Sequence, residues 1–194
     1  MEIMREWKDP EGPSPGVVGF PGSPCPRTIF LKGEKMQEFF DTQIARAKLY
    51  KSFGYDGLVI DMGRDFLCGE FLSETSNYRT DEYGPQSLDN RIRFPLEYLA
   101  ALRKGLGDDF LIIVYAPAIG TAGPFGGMSK EDAAYFFNKM GDTVDVIRLG
   151  GMGMPGAAED PSSRNCPNAE YTKFFKSQGC GQVFAINKIG RASC

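Results

Sequence analysis

The stretch FGYDGLVIDMGRDFLCGEFLSETSNYRTDEYGPQSLDNRIRFPLEYLAALRKGLGDDF (53–110) decides the fold of this 194-residue chain. It contains a short apolar run, GLVI (57–60), which is typical of a strand buried on both faces of a sheet. The run ends abruptly in the turn DMGRDF (61–66), so charged side chains stand where the strand finishes. A turn of this kind, directly after a buried strand, is a candidate active site.

Helices and strands alternate on both sides of that run. Apolar residues from Met36 to Ala47 recur at helical spacing, and Gly54 follows as a helix-ending glycine. Ser87 is a candidate cap for a second helix. Pro95 should either kink this helix or mark where its regular part begins. Further segments predict strands at 111–115, 144–149 and 182–186, a helix from Ser129 to Met140, and a helix over about 168–178.

This alternation of four buried strands with helices predicts an α/β protein with a parallel sheet. A doubly wound sheet and a (β/α)8 barrel both satisfy it, and the long loops after the strands favour the barrel. The proline- and glycine-rich residues 1–35 are expected to form an irregular segment that crosses the barrel. The barrel itself is expected over residues 36–187.

The last seven residues, KIGRASC (188–194), follow the final strand directly. They resemble the translation of a sequencing adapter, and we interpret them as a non-native tail. The alternative is a short basic tail. On the first interpretation the natural protein continues past Asn187, and Cys194 is not part of it.

The composition excludes several classes of function. The chain has no histidine, which removes Ser-His-Asp and Cys-His catalysis and histidine metal triads. Its net charge of −3, with scattered basic residues, is not that of a nucleic-acid-binding protein. The five cysteines are irregularly spaced and predict neither a disulfide framework nor a metal site. An N-terminus without an apolar signal, and no membrane-length apolar run, predict a cytoplasmic protein that is not bound to membranes.

A family resemblance lies in the same stretch that decides the fold. Residues 53–110 resemble the central part of the old yellow enzyme family of NADH:flavin oxidoreductases, in particular the branch of 2,4-dienoyl-CoA reductases, enoate reductases and bile-acid-inducible oxidoreductases. The family pattern includes [DE]-F-L-[ST] followed by N-x-R-x-D-x-[YW]-G-G-S-x-E-N-R-x-R-F. The matching residues are Gly54, Asp56, Gly57, Glu70, Phe71, Leu72, Ser73, Asn77, Arg79, Asp81, Tyr83, Gly84, Ser87, Asn90, Arg91, Arg93 and Phe94.

The resemblance implies a partial (β/α)8 TIM barrel that spans about strands four to seven. It implies FMN bound at the carboxyl ends of the strands, NAD(P)H as reductant and a small-molecule unsaturated substrate. Members of that branch continue past the barrel into an iron–sulfur segment and dinucleotide domains, so an iron–sulfur cluster and FAD are expected outside this chain. No residue of this chain is assigned as a metal ligand.

The resemblance also assigns site positions, and this chain departs from the family at each. Asp61 and Arg64 stand where the family binds the substrate carbonyl, and Phe66 stands where a tyrosine donates a proton. Ionised Asp61 only accepts hydrogen bonds, whereas Arg64 is a permanent cation that could polarise a carbonyl alone. The alternative is a salt bridge between Asp61 and Arg64 that only stabilises the turn.

The implied cofactor contacts are Tyr115, Gly150 and Asn187. Tyr115 replaces a family arginine beside the flavin, so weaker FMN binding or a lower flavin potential is expected. Gly150 could approach a ligand closely or simply form a turn. The charged residues between Asn77 and Arg91 match the family best, and we interpret them as organising the loop rather than meeting substrate.

Three functional hypotheses follow. The first is an FMN-dependent NAD(P)H oxidoreductase that reduces the C=C bond of an α,β-unsaturated carbonyl compound, acid or thioester. The second is a non-catalytic or repurposed barrel that has lost the usual donors. The third is a carboxylate-pair hydrolase that uses Asp61 and Glu70 at strand ends, which ignores the long motif match.

Overall fold

The computed structural model of the protein describes residues 11–12, 16–18, 25–27, 29–30, 33–63, 66–75, 77–116, 128–149 and 167–186. Four short strands precede the first helix: β1 (Glu11–Gly12), β2 (Gly16–Val18), β3 (Cys25–Arg27) and β4 (Ile29–Phe30). β1 pairs in parallel with β4, and β2 pairs antiparallel with β3. The segment that the sequence predicts as irregular thus contains two small two-stranded sheets, whose strands are too short to produce an apolar periodicity.

The main unit is a four-stranded parallel sheet with its helices. Its elements are α1 (Glu34–Ser52), β5 (Gly57–Asp61), α2 (Leu67–Leu72), α3 (Leu88–Leu106), β6 (Leu111–Tyr115), α4 (Lys130–Met140), β7 (Val146–Leu149), α5 (Pro167–Ser177) and β8 (Val183–Ile186). The spatial order β5-β6-β7-β8 follows the chain order without the reversal that marks a doubly wound sheet. The α/β class and the partial barrel are confirmed, with β5–β8 as barrel strands four to seven.

The helix ends follow the local sequence signals. The Ser87 hydroxyl accepts a hydrogen bond from the Asn90 N–H at 3.2 Å, and the Ser129 hydroxyl accepts one from the Asp132 N–H at 3.0 Å. Gly54, just after α1, has φ +87°, a value that glycine adopts without strain. The predicted Ser87 cap is confirmed, and Ser129 begins its helix as predicted.

Two elements differ from the sequence prediction. α3 continues as one helix through the buried Pro95, so the proline does not mark where the regular part of the helix begins. Its neighbour Phe94 is fully buried and stacks on Phe71 at 4.0 Å, and this packing offsets the missing backbone hydrogen bond. The other difference is α2, which the sequence does not predict because six residues are too few to show a period.

The two faces of the sheet differ in their cover. Ile112, Val114 and Ile147 are fully buried on one face, which packs against the helices. On the opposite face, Val59 is 53% exposed and Val183 is 62% exposed. In a closed barrel that second face points into the interior. Side chains of the same parity at the carboxyl ends of the strands therefore lie at the mouth of the barrel interior.

Candidate active site

Three side chains form a row across the carboxyl edge of the sheet. Asp61 of β5 pairs in register with Tyr115 of β6, which in turn pairs with Arg148 of β7. Residues opposite each other in a sheet point to the same face, so all three lie on the interior side. They are also the only ionisable residues within β5–β8 as described. The sheet thus concentrates its charge in one row at the end where barrel enzymes bind ligands.

Arg148 is held against its neighbour in this row. Its guanidinium carbon lies 5.2 Å from the centre of the Tyr115 ring, which is a cation–π contact. The Ala116 N–H donates to the Arg148 carbonyl at 2.9 Å, so the sheet ladder continues past the side chain. The position of Arg148 is therefore set by backbone pairing and by the tyrosine ring together, although its side chain is exposed.

The turn after β5 is fixed by local hydrogen bonds and close packing. The Asp61 carboxylate accepts a hydrogen bond from the Gly63 N–H at 2.7 Å, a pattern typical of Asx turns. α2 then packs directly on this turn, because a Cβ atom added at Gly69 would lie only 1.8 Å from the Gly63 carbonyl oxygen. Only glycine permits so close an approach of helix and turn.

Phe66 and Cys68 lie on either side of the start of α2. The Phe66 N–H donates to the Gly63 carbonyl at 3.1 Å, and its side chain is 39% exposed, so the ring faces the surroundings of the turn rather than the core. Cys68 is buried. Burial, with the negative charge of Asp61 as a smaller cause, raises the pKa of the Cys68 thiol to about 12. Cys68 is therefore a neutral packing residue at ordinary pH and not a nucleophile.

The structure describes some of the predicted site residues, and others lie outside the described ranges. Asp61 and Tyr115 lie on adjacent strand ends, as the barrel prediction requires. Arg64, Gly150 and Asn187 lie outside the described residues, and so does the salt bridge expected between Asp61 and Arg64. Their roles stay predictions.

Two residues correct the reading of the sequence. Glu70 lies inside α2 and is 1% exposed, so it is not at a strand end as the carboxylate-pair hypothesis requires. Arg148 was missed altogether. The signal was present, because a lone arginine interrupts the apolar strand VIRL, and strands buried in parallel sheets are otherwise nearly continuous apolar runs.

The long loop between α2 and α3 is organised by the residues that match the family motif. The Asn77 amide donates to the carbonyls of Phe71 at 2.9 Å and Tyr83 at 2.8 Å. Arg79 donates to Asp81 at 2.8 Å, and its guanidinium lies 5.6 Å and 5.4 Å from the Phe71 and Tyr83 ring centres. These contacts support the interpretation that the motif builds the loop.

A comparison with protein-family models finds a match over most of the chain. The family described as NADH:flavin oxidoreductase / NADH oxidase matches residues 8–193. The chain belongs to this family. The resemblance stated above is thereby confirmed, and the family is one of flavin-dependent oxidoreductases.

Individual relatives extend the comparison. The multifunctional alkene reductase/demethylase OYE of Caballeronia cordobensis is 42% identical over 98 residues, covering 46% of this chain and 14% of the relative. The probable inactive dehydrogenase easA of Claviceps purpurea is 34% identical over 174 residues, covering 87% of this chain and 44% of the relative. A 2-naphthoyl-CoA reductase solved in complex with 2-naphthoyl-CoA superposes with a TM-score of 0.73 at 26% identity, over 92% of this chain and 27% of that chain. The chain spans less than half the length of each.

The row at the sheet edge suits a flavin by the chemistry of its donors. The pyrimidine part of a flavin presents carbonyl oxygens and ring nitrogens that accept hydrogen bonds, together with one N–H that donates. Tyr115 and Arg148 supply donors, one neutral and one cationic, and Asp61 supplies an acceptor. The residues present therefore fit the flavin that the family description names.

The described residues contain neither a helix suited to a membrane nor a cluster suited to a metal ion. No helix among them has the length and apolar character needed to cross a membrane. Within the same ranges, no group of three or more His, Cys, Asp or Glu side chains is placed to hold a metal ion.

Proposed function

We propose that the protein carrying this chain is an FMN-dependent oxidoreductase that uses NAD(P)H to reduce the C=C bond of an α,β-unsaturated carbonyl compound, acid or thioester. The observation that carries the proposal is the row of Asp61, Tyr115 and Arg148 at the carboxyl edge of a barrel sheet in a flavin oxidoreductase family. Barrel enzymes bind their reactants at that edge.

The chain's own residues would bind and orient rather than react. A bound FMN would supply hydride transfer between NAD(P)H and the β-carbon of the alkene, and a proton would be added at the α-carbon. Arg148 and Tyr115 would donate hydrogen bonds to the cofactor, and the turn fixed by Asp61 and Gly63 would border the substrate. Phe66 holds no transferable proton, so the α-carbon would be protonated from water.

The proposed substrate class depends on a cation that can polarise the substrate carbonyl. A carbonyl conjugated to the alkene gathers negative charge as the hydride arrives, and preorganised donors stabilise that charge. Arg64, in the turn, is the residue we propose for this role, because a guanidinium can donate two hydrogen bonds to a carboxylate or a thioester carbonyl. The similarity to an enzyme solved with an aromatic acyl-CoA supports a thioester among the substrates.

A second candidate is a repurposed barrel of the same family that binds flavin or a related ligand without reducing alkenes. Phe66 at the proton-donor position favours it, and so does the match over 87% of the chain to a relative described as a probable inactive dehydrogenase. On this reading the Asp61 turn is a structural remnant.

Reoxidation of reduced flavin distinguishes the two candidates. The purified protein would be reduced under anaerobic conditions with NADH or NADPH, and then mixed with cinnamaldehyde, cinnamate or a cinnamoyl thioester. Alkene reduction predicts that the oxidised flavin spectrum returns with at least one of these compounds and not with its saturated analogue. A protein that binds flavin but stays reduced with all three supports the second candidate. A protein that binds no flavin overturns the first.

A further inference from the structure

We propose that Arg148 supplies the positive charge that faces the pyrimidine end of the bound flavin, with Tyr115 acting as the positioning residue that holds the guanidinium there. The inference rests on the proposed function and deepens it, because it assigns a cofactor contact to a residue of β7. It is carried by the register of three strands and by one ring contact.

Arg148 lies at the carboxyl edge of the sheet. It pairs in register with Tyr115 at the carboxyl edge, and both residues share the parity of the face that a barrel turns inward. Leu149, the next residue, is fully buried on the helix side, which places Arg148 on the opposite face. The guanidinium is therefore presented to the mouth of the barrel and not to the helices.

Arg148 carries the positive charge of the sheet strands as described. A flavin gains electrons on reduction, and a positive charge near its N1 atom stabilises the reduced form relative to the oxidised form. Tyr115 can donate a hydrogen bond but carries no positive charge. Arg148 is the only cationic residue within β5–β8 as described, so it is the group of the sheet that can balance the added charge.

The Arg148 side chain contacts an aromatic ring of the neighbouring strand. An exposed arginine samples many rotamers, and fixing one of them lowers the affinity that it can contribute. The Tyr115 ring, 5.2 Å from the guanidinium carbon, restricts those rotamers before any ligand arrives. A contact with a ring face uses the charge of the guanidinium rather than its N–H donors, so this contact does not itself compete with hydrogen bonding.

The test measures flavin binding and potential rather than turnover. Dissociation constants for FMN would be measured in the oxidised and reduced states, together with the midpoint potential, for the wild type, Arg148→Gln, Arg148→Met and Arg148→Lys. Lys48→Gln is the matched control, because it removes one positive charge from an exposed position on α1.

We expect both neutral variants to weaken the binding of reduced FMN about tenfold more than that of oxidised FMN. A tenfold difference corresponds to a midpoint potential about 30 mV lower for a two-electron couple. Arg148→Lys should stay closer to the wild type because it keeps the charge, and Lys48→Gln should match the wild type.

The other outcomes overturn the proposal in distinguishable ways. Unchanged affinity and potential in a folded neutral variant would reject the role of Arg148 and leave the proposed function standing. Equal shifts in Arg148→Lys and Arg148→Gln would show that charge is not the cause. If neither neutral variant folds, Arg148 is a structural residue. A wild-type protein that binds no FMN would overturn the proposed function, and this inference with it.

Discussion

Two arginines of this chain each contact aromatic rings but differ in everything else. The Arg79 side chain is fully buried, donates to Asp81 and lies against the rings of Phe71 and Tyr83. Arg148 is exposed at the edge of the sheet and contacts the Tyr115 ring. One cation is buried in the loop that it holds together, and the other lies exposed at the carboxyl edge of the sheet.

The difference separates scaffold from site. Arg79 belongs to the string that matches the family pattern, and its contacts hold a loop together. Arg148 lies outside that string, beside Tyr115, where the chain departs from the pattern. In this chain the residues most typical of the family thus build the scaffold, whereas those that would meet the ligand are the ones that vary.

The largest loss of stability should come from replacing Arg79, the buried arginine of the loop. Arg79→Met leaves Asp81 without its guanidinium partner and removes the bond that orders the loop. We expect the free energy of unfolding to fall by about 4 kcal/mol, as for other buried pairs that lose one partner. Urea denaturation measures this. Arg93→Met is the matched control, because Arg93 is exposed and donates to the Glu82 carbonyl; a loss of similar size there would contradict the scaffold role.

The next largest effect concerns the candidate site, at the contact between α2 and the turn after β5. Gly69→Ala puts a Cβ atom into the Gly63 carbonyl, so α2 must move away from the turn. We expect a loss of about 2 kcal/mol in the free energy of unfolding. Thermal or urea unfolding measures it. At Gly181 an added Cβ has nothing within 4 Å, so Gly181→Ala should change stability little. Equal effects in the two variants would reject the close packing of α2.

A smaller effect concerns the missing proton donor. Phe66→Tyr adds a hydroxyl to a side chain that is 39% exposed beside the turn. If the site reduces alkenes, we expect the rate of flavin reoxidation by the alkene to rise about tenfold, which is at the low end for general acid catalysis. Stopped-flow measurement at a fixed alkene concentration tests this, with Phe53→Tyr, an exposed aromatic position just after α1, as control. A rise in both variants would argue against a specific role.

The smallest effect is a dependence of stability on alkaline pH. Burial raises the pKa of the Cys68 thiol from 9.0 to about 12, so the unfolded chain loses this proton before the folded protein does. The resulting stability is fully present below pH 9 and is lost as the pH rises toward 12, by about 1 kcal/mol for each pH unit. Urea unfolding at pH 8, 9 and 10 should show a shallower decline in Cys68→Ala than in the wild type. Parallel declines would contradict a buried thiol.

Much of the fold could be predicted because its signals are local. The serines that begin two helices, Gly54 and the strand LIIVY are read from a few neighbouring residues, and the structure confirms them. The exceptions have nonlocal causes. α3 continues through Pro95 because the packing of Phe71 on Phe94 holds it there, and α2 exists because Gly69 lets it lie on the turn.

The sequence by itself determined the alternation of the long helices with the strands of the parallel sheet and the family, and it predicts a site after GLVI. It could not determine which side chains meet, because Asp61, Tyr115 and Arg148 lie on separate strands far apart in the chain. Only the register of the parallel sheet brings them into one row. A shift of one residue in that register would turn Arg148 to the helix side, so the row is a property of strand pairing and not of any local motif.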